Sequence, residues 1–180
     1  IAALELKQST IDSEVGQINL LRTIDDLRIV LEPYCREADI SLHWDIPKDL
    51  PAVWADSHRL LLALLNLVKN SERALSDSEV RRIDISVSVG DALVSIRVSD
   101  SGPGISRGAA ENLFQPFQPG ANATGLGLYL SRAFVRSFHG DLRHDPGVPG
   151  CSFIIDLAAA TGRPEIGRTL GNDADATAGR

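Results

Sequence analysis

Cysteine is scarce in this chain: among 180 residues only Cys35 and Cys151 occur. Two thiols exclude a disulfide framework, and no Cys/His spacing resembles a zinc site. They suit a reducing compartment. Surplus basic charge is also missing. The net charge is −6 and the pI near 5.2, which argues against general nucleic-acid binding, since that needs a basic face. No apolar run is long enough to span a membrane, no stretch reads as a signal peptide, and there is no internal repeat. What remains is a chain that is 43% hydrophobic, enough for one sizeable core with flanks.

The flanks differ from the middle. Residues 1–14 are helical in pattern and read as the end of a helix that begins upstream. From about residue 159 to 180, Ala, Gly, Thr and Asp dominate, a composition too poor in large apolar groups to offset ordering entropy, so a flexible tail or linker is expected. Residues 15–158 form the folded unit. Leu27, Val30, Leu31 and Tyr34 recur at helical spacing over Thr23 to Ala38, with Thr23 as the expected cap. Ile40 to Ile46 and Val53 to Ala55 read as strands. Asp56 or Ser57 caps a long leucine-rich helix. A hairpin follows, with Ile83, Ile85, Val87 and Val89 alternating with polar residues, Gly90-Asp91 at the turn, and Val94, Ile96 and Val98 returning. Gly125-Leu126-Gly127-Leu128 opens a helix running to about Phe138, with Gly140 as its expected C-cap. Gly140 to His144 and Cys151 to Leu157 complete the sheet.

Three features carry chemistry. Asn66 and Asn70 lie four residues apart in the leucine-rich helix, and Arg73 joins their face. Two amides among leucines cost roughly 1–3 kcal/mol each unless paired. A metal–phosphate group would pair them; so would local backbone or water. Asp100 continues the inward phase of Val94, Ile96 and Val98, where a lone carboxylate is expensive. Either it caps the turn, or it accepts a hydrogen bond from an exocyclic amine such as adenine N6, with Gly102 and Gly104 letting backbone approach a flat ligand. The glycine-rich start at Gly125 and Gly127 is either a plain helix start or a phosphate site, where free N–H groups and the helix dipole favour anions.

The order of these signals is more specific than any one of them. Asn66-x-x-x-Asn70, then Asp100-x-Gly102-x-Gly104, then Phe114-x-x-Phe117, then Gly125-Leu126-Gly127-Leu128 resembles the N, G1, F and G2 boxes of the ATP-binding domain of sensor histidine kinases. Asp56 to Leu60 and Gly150 to Phe153 match as well. Asn70 to Leu75 is most similar to the short-lid nitrogen-regulatory and oxygen-sensing kinases. The resemblance implies an α+β Bergerat fold: a two-layer sandwich with a mixed, mostly antiparallel sheet and helices on one face. It implies ATP and Mg²⁺ as cofactors. Asn70 would hold the metal, with Asn66 beside metal and phosphate and Arg73 touching phosphate, these three being the catalytic set. Asp100, Gly102, Gly104 and Ile105 would form the adenine pocket, with Ser152 assisting through a water. Phe117, Thr124, Gly125, Leu126, Gly127 and Leu128 would complete the nucleotide site.

Two departures are plain. Ala123 stands where the G2 box has a further glycine, and Gln118-Pro119-Gly120-Ala121 replaces the Thr-Thr-Lys of short-lid relatives. The histidines His43, His58, His139 and His144 all lie outside any Ser-His-Glu-like acceptor motif. The acceptor is therefore expected on a dimerisation domain outside this chain, with a response regulator receiver domain downstream. The fragment is expected to be cytoplasmic, without membrane or nucleic-acid contact of its own. A degenerate ATP-binding switch without phosphotransfer is the alternative.

Overall fold

The alternation of Ile83, Ile85 and Val87 with Asp84, Ser86 and Ser88 gives one strand a buried and a polar side, and it becomes the second strand of a five-stranded sheet. The computed structural model describes residues 14–117 and 126–160. Its elements in chain order are β1 (Gly16–Ile18), α1 (Leu20–Glu37), β2 (Ser41–Asp45), β3 (Val53–Ala55), α2 (Ser57–Ala74), β4 (Arg82–Val89), β5 (Leu93–Asp100), α3 (Arg107–Ala110), α4 (Gly127–Ser137), β6 (Asp141–His144) and β7 (Cys151–Ala158). The large sheet runs β2-β4-β5-β7-β6. β2 pairs with β4 in parallel, and the other neighbours are antiparallel. β1 and β3 form a small antiparallel pair.

One face of the sheet is apolar and the other polar. Ile83, Ile85, Val94, Ile96, Val98, Leu142, Phe153, Ile155 and Leu157 are buried together with Leu27, Leu31, Leu60, Leu64, Leu67 and Val135 from α1, α2 and α4. Each such side chain contributes about 1.5–3 kcal/mol by leaving water. The opposite face carries Ser95, Arg97 and Ser99. There Arg97 donates to Asp145 and Ser152, and Arg143 to Asp156. The expected mixed sheet with helices on one face is therefore the observed architecture.

Several local expectations shift. α1 begins at Leu20, capped by Asn19, whose side chain accepts from the Arg22 N–H; Thr23 is buried inside the helix. The hairpin closes one residue later than expected. Gly90 N–H donates to Leu93 O at 2.8 Å, leaving Asp91 and Ala92 as the central residues. At the end of α4 it is His139, at φ 64°, that takes the left-handed conformation. Gly140 instead permits close packing: a Cβ there would lie 2.7 Å from Asp156 O. Pairing also runs past Ala158, since Ala159 is buried against Val53 and Ala160 N–H donates to Ala52 O. Glu14, the last residue of the expected leading helix, is not helical. Residues 1–13 and 161–180 lie outside the described residues.

Candidate functional site

α2 presents the asparagine stripe. Asp56 starts the helix, its Oδ1 accepting from the N–H groups of His58 (3.0 Å) and Arg59 (3.1 Å). Leu60, Leu64, Leu67 and Val68 then bury one face. Asn66 and Asn70 lie half-buried at its edge and Arg73 is exposed beyond them. The two amides are in different states. Asn66 Nδ2 donates to the hydroxyl of Ser131 on α4 at 3.0 Å, and Ser131 is buried. Its partner is thus a side chain from another helix, neither backbone nor water. The Asn70 side chain makes no hydrogen bond among the described residues. α4 comes this close because residue 127 is glycine: a Cβ there would fall 2.6 Å from Asn66 Oδ1. Sequence reasoning missed Ser131. The available signal was its position one helical turn after Gly127, on the same face.

The second half of the site lies where β5 ends. Asp100 faces inward as expected and is 5% exposed. Its Oδ1 accepts the Gly102 N–H at 3.0 Å, so one oxygen does cap the turn. Among the described residues no donor reaches the other. Glycines wall this carboxylate. A Cβ at Gly102 would meet Asp100 Oδ1 at 2.9 Å and Ala74 O, at the end of α2, at 3.3 Å. Gly104 has φ +77°, and a Cβ there would lie 2.7 Å from Gly150 O. Gly150 has φ +80°, and its Cβ would lie 1.9 Å from Asp100 O. Both glycines adopt a conformation other residues resist. Ile105 packs half-buried against the core beside them.

The strand register corrects one residue of the expected pocket. In β7, Ser152 pairs with Ser99 and Cys151 with Asp100. Successive side chains on a strand point to opposite faces, so Ser152 lies on the face away from Asp100. There it accepts from Arg97 Nη1 at 2.8 Å. Cys151 shares the Asp100 side. Burial, and then the Asp100 charge, push its thiol up to about 12.

Beside α4, Phe114 meets Phe153 edge-on at 6.2 Å, and the Arg132 guanidinium lies 4.4 Å over the Phe114 ring. Phe117 is 73% exposed at φ 59°. Leu126 precedes α4 without a side-chain cap, and among the described residues the N–H groups of Gly127, Leu128 and Tyr129 have no helical acceptor. Leu128 packs against the core. Thr124, Gly125 and the loop Gln118 to Thr124 lie outside the described residues.

Residues 55–161 match the family of histidine kinase-, DNA gyrase B- and HSP90-like ATPases. The chain belongs to this family. Among solved structures, the catalytic domain of histidine kinase ThkA aligns with a TM-score of 0.72 at 28% identity, covering 81% of this chain and 98% of that one. A mycobacterial sensor histidine kinase, MprB, aligns with a TM-score of 0.67 at 25% identity, covering 81% and 98%. The C4-dicarboxylate transport sensor protein DctS of Rhodobacter capsulatus is 31% identical over 140 residues, which is 76% of this chain and 21% of DctS. The sensor protein KdpD of Mycobacterium tuberculosis is 42% identical over 119 residues, 61% of this chain and 13% of KdpD. The chain thus spans about a fifth or less of these relatives.

The groups gathered here have chemistry that a nucleotide and a cation could use. The Asp100 oxygen that has no donor among the described residues suits a donor on a flat base. No cluster of three His, Cys, Asp or Glu side chains converges among the described residues. A cation here would take amide oxygen, nucleotide phosphate and water, the hard oxygen set that Mg²⁺ prefers.

Proposed function

We propose that this domain binds ATP with Mg²⁺ and delivers the γ-phosphoryl group to a histidine on a separate dimerisation domain. The observation that carries the reading is the pairing of two unlike groups around α2. At its C-terminal end lies a buried carboxylate with one oxygen unpaired among the described residues, walled by glycines. Along its length runs a stripe of two amides and a cation.

Asp100 would accept the adenine N6 proton, with Gly102, Gly104 and Ile105 forming the pocket. Cys151, on the Asp100 side, takes the place expected of Ser152. Asn70, which has no partner among the described residues, would offer its oxygen to Mg²⁺. Asn66 stands beside it. Arg73, exposed to solvent, would reach phosphate, and the open N–H groups at Gly127 and Leu128 would face it. Phe117, Thr124, Gly125 and Leu126 would border the same phosphates. Bound Mg²⁺ would neutralise phosphate charge, and phosphoryl transfer is then mainly a matter of placement.

The side chains favour histidine as acceptor. Asn66 cannot take a proton at neutral pH, so it cannot activate water or a hydroxyl as a carboxylate would. Neutral imidazole is already nucleophilic. His43 lies exposed on β2, His58 in the first turn of α2, His139 just past α4 and His144 at the end of β6. None is placed in an acceptor motif. The relative ThkA has been solved with a response regulator protein, TrrA, which supports a receiver domain as downstream partner here. No described helix is long and apolar enough to cross a membrane, and a cytoplasmic placement of the domain is part of the same proposal. So is the short-lid kinship read from Asn70 to Leu75.

A switch without phosphotransfer is favoured by one sequence observation: Gln118 to Thr124 contains no lysine or arginine to grip the γ-phosphate. One assay separates the two. ATP carrying a radioactive γ-phosphate is incubated with this chain and a histidine-bearing dimerisation domain. Acid-labile label on the added domain, and none on this chain alone, is expected. Tight ADP binding with no label on any acceptor supports the switch. Acid-labile label on the isolated chain contradicts an external acceptor.

A further inference from the structure

β5 is polar on both faces near its end. Asp100 points to the buried side, and Arg97, three residues earlier, points to the open side. Arg97 Nη1 donates to Asp145 Oδ2 at 2.7 Å and to Ser152 Oγ at 2.8 Å. These partners flank the turn that joins β6 to β7. Asp145 also organises that turn: its Oδ1 accepts the Gly147 N–H at 3.0 Å, and its own N–H donates to Ser152 O at 2.8 Å. Ser152 is fully buried beneath this cluster. The far end of the same turn is Gly150, and there the turn meets the Asp100 surroundings. A Cβ on Gly150 would lie 1.9 Å from Asp100 O, and a Cβ on Gly104 would lie 2.7 Å from Gly150 O. The turn is thus one wall beside the carboxylate, and Arg97 is the cation that ties it to β5.

We infer that Arg97 is a positioning residue for the adenine end of the site: from the opposite face of the sheet it holds the β6–β7 turn so that Gly150 stays pressed on the Asp100 to Gly104 loop. The inference rests on the nucleotide-site reading above and deepens it. Arg97 lies across the sheet from the pocket, so it acts without touching the nucleotide. Without it, Asp145 still shapes its own turn but loses its anchor on β5. The wall at Gly150 then gains freedom that a bound base must remove. That cost falls on the base, not on phosphate or cation.

The test is titration of adenosine, and of ADP in EDTA and in Mg²⁺, with wild type, Arg97→Met, Asp145→Asn and the double variant. Denaturation curves choose a temperature at which every variant is folded. Methionine keeps much of the apolar stem without the guanidinium; asparagine keeps an oxygen for the Gly147 N–H. Each single variant should weaken adenosine and ADP alike by about fivefold, the scale of one charged hydrogen bond partly open to solvent. The gain that Mg²⁺ gives ADP should stay within about twofold of wild type, and the double variant should bind within about twofold of either single, because all three lose one shared contact. If Arg97→Met does not fold, Asp145→Asn alone carries the same expectation. Single variants that bind like wild type, a loss for ADP that adenosine does not share, or losses that multiply in the double variant overturn the inference and leave the site standing. A wild type that binds neither adenosine nor ADP overturns the nucleotide reading as well.

Discussion

The two halves of the site are built in opposite ways. Around Asp100 the backbone is interlocked: Gly102, Gly104 and Gly150 press against neighbouring backbone and carboxylate with no room for a Cβ. Around Asn66, Asn70 and Arg73 the polar groups are side chains on one helix face, and among the described residues only Asn66 is tied down. The first half is set before any ligand arrives. The second has polar groups held open. On the proposed function, recognition falls to the Asp100 half and chemistry to the asparagine half, because rigid contacts give affinity and selectivity without further ordering.

The comparison is broken most severely at Gly150. Gly150→Ala places a methyl 1.9 Å from Asp100 O at φ +80°. The strain and overlap should cost roughly 2–5 kcal/mol of stability, visible in chemical denaturation. Asp100→Asn comes next. An amide turned N–H outward repels the adenine amine, and loss of a charged hydrogen bond of about 1.5–3 kcal/mol should weaken ATP and erase its preference over GTP. Paired titrations check this; an unchanged preference would move the adenine pocket elsewhere. Arg73→Ala sharpens the other half. Its charge is exposed and screened, so ATP affinity should fall only about threefold, less at high salt.

The last effect shows only at alkaline pH. Burial, and then the hydrogen bond to Glu72, push Tyr34 up from 10.0 to about 12. The fold therefore binds this proton more tightly than the unfolded chain. The stability involved is complete below pH about 10 and lost as pH rises toward about 12. Cys151 acts in the same direction, from 9.0 toward about 12. Tyr34→Phe should flatten the loss of stability above pH about 10, measured by denaturant titration across that range.

Much of this was legible in the sequence, and the failures have physical causes. The hairpin, the leucine-rich helix and the inward Asp100 follow from periodicity, which records burial directly. The Ser152 assignment failed because a box motif gives position along the chain but not which side of the pleat a residue occupies. That side depends on the pairing of Cys151 with Asp100 across two strands. Asn19 was missed as a cap although Leu20 is in phase with Ile24, Leu27 and Leu31, because Thr23 followed by Asp25 and Asp26 offered a competing cap signature. His139 was passed over because the adjacent Gly140 looks like the natural left-handed residue, while its real constraint is contact with Asp156 on β7. Ser131 was missed because its importance comes from α2, sixty-odd residues away in sequence.

The division between the two halves is tested most directly by ADP affinity in EDTA and in Mg²⁺ for the wild type, Asp100→Asn and Asn70→Ala. Asp100→Asn should weaken binding in both buffers. Asn70→Ala should bind like wild type in EDTA and lose most of the gain that Mg²⁺ gives. Asn70→Ala weakening ADP equally in both buffers, or Asp100→Asn binding as tightly as wild type, would contradict the account.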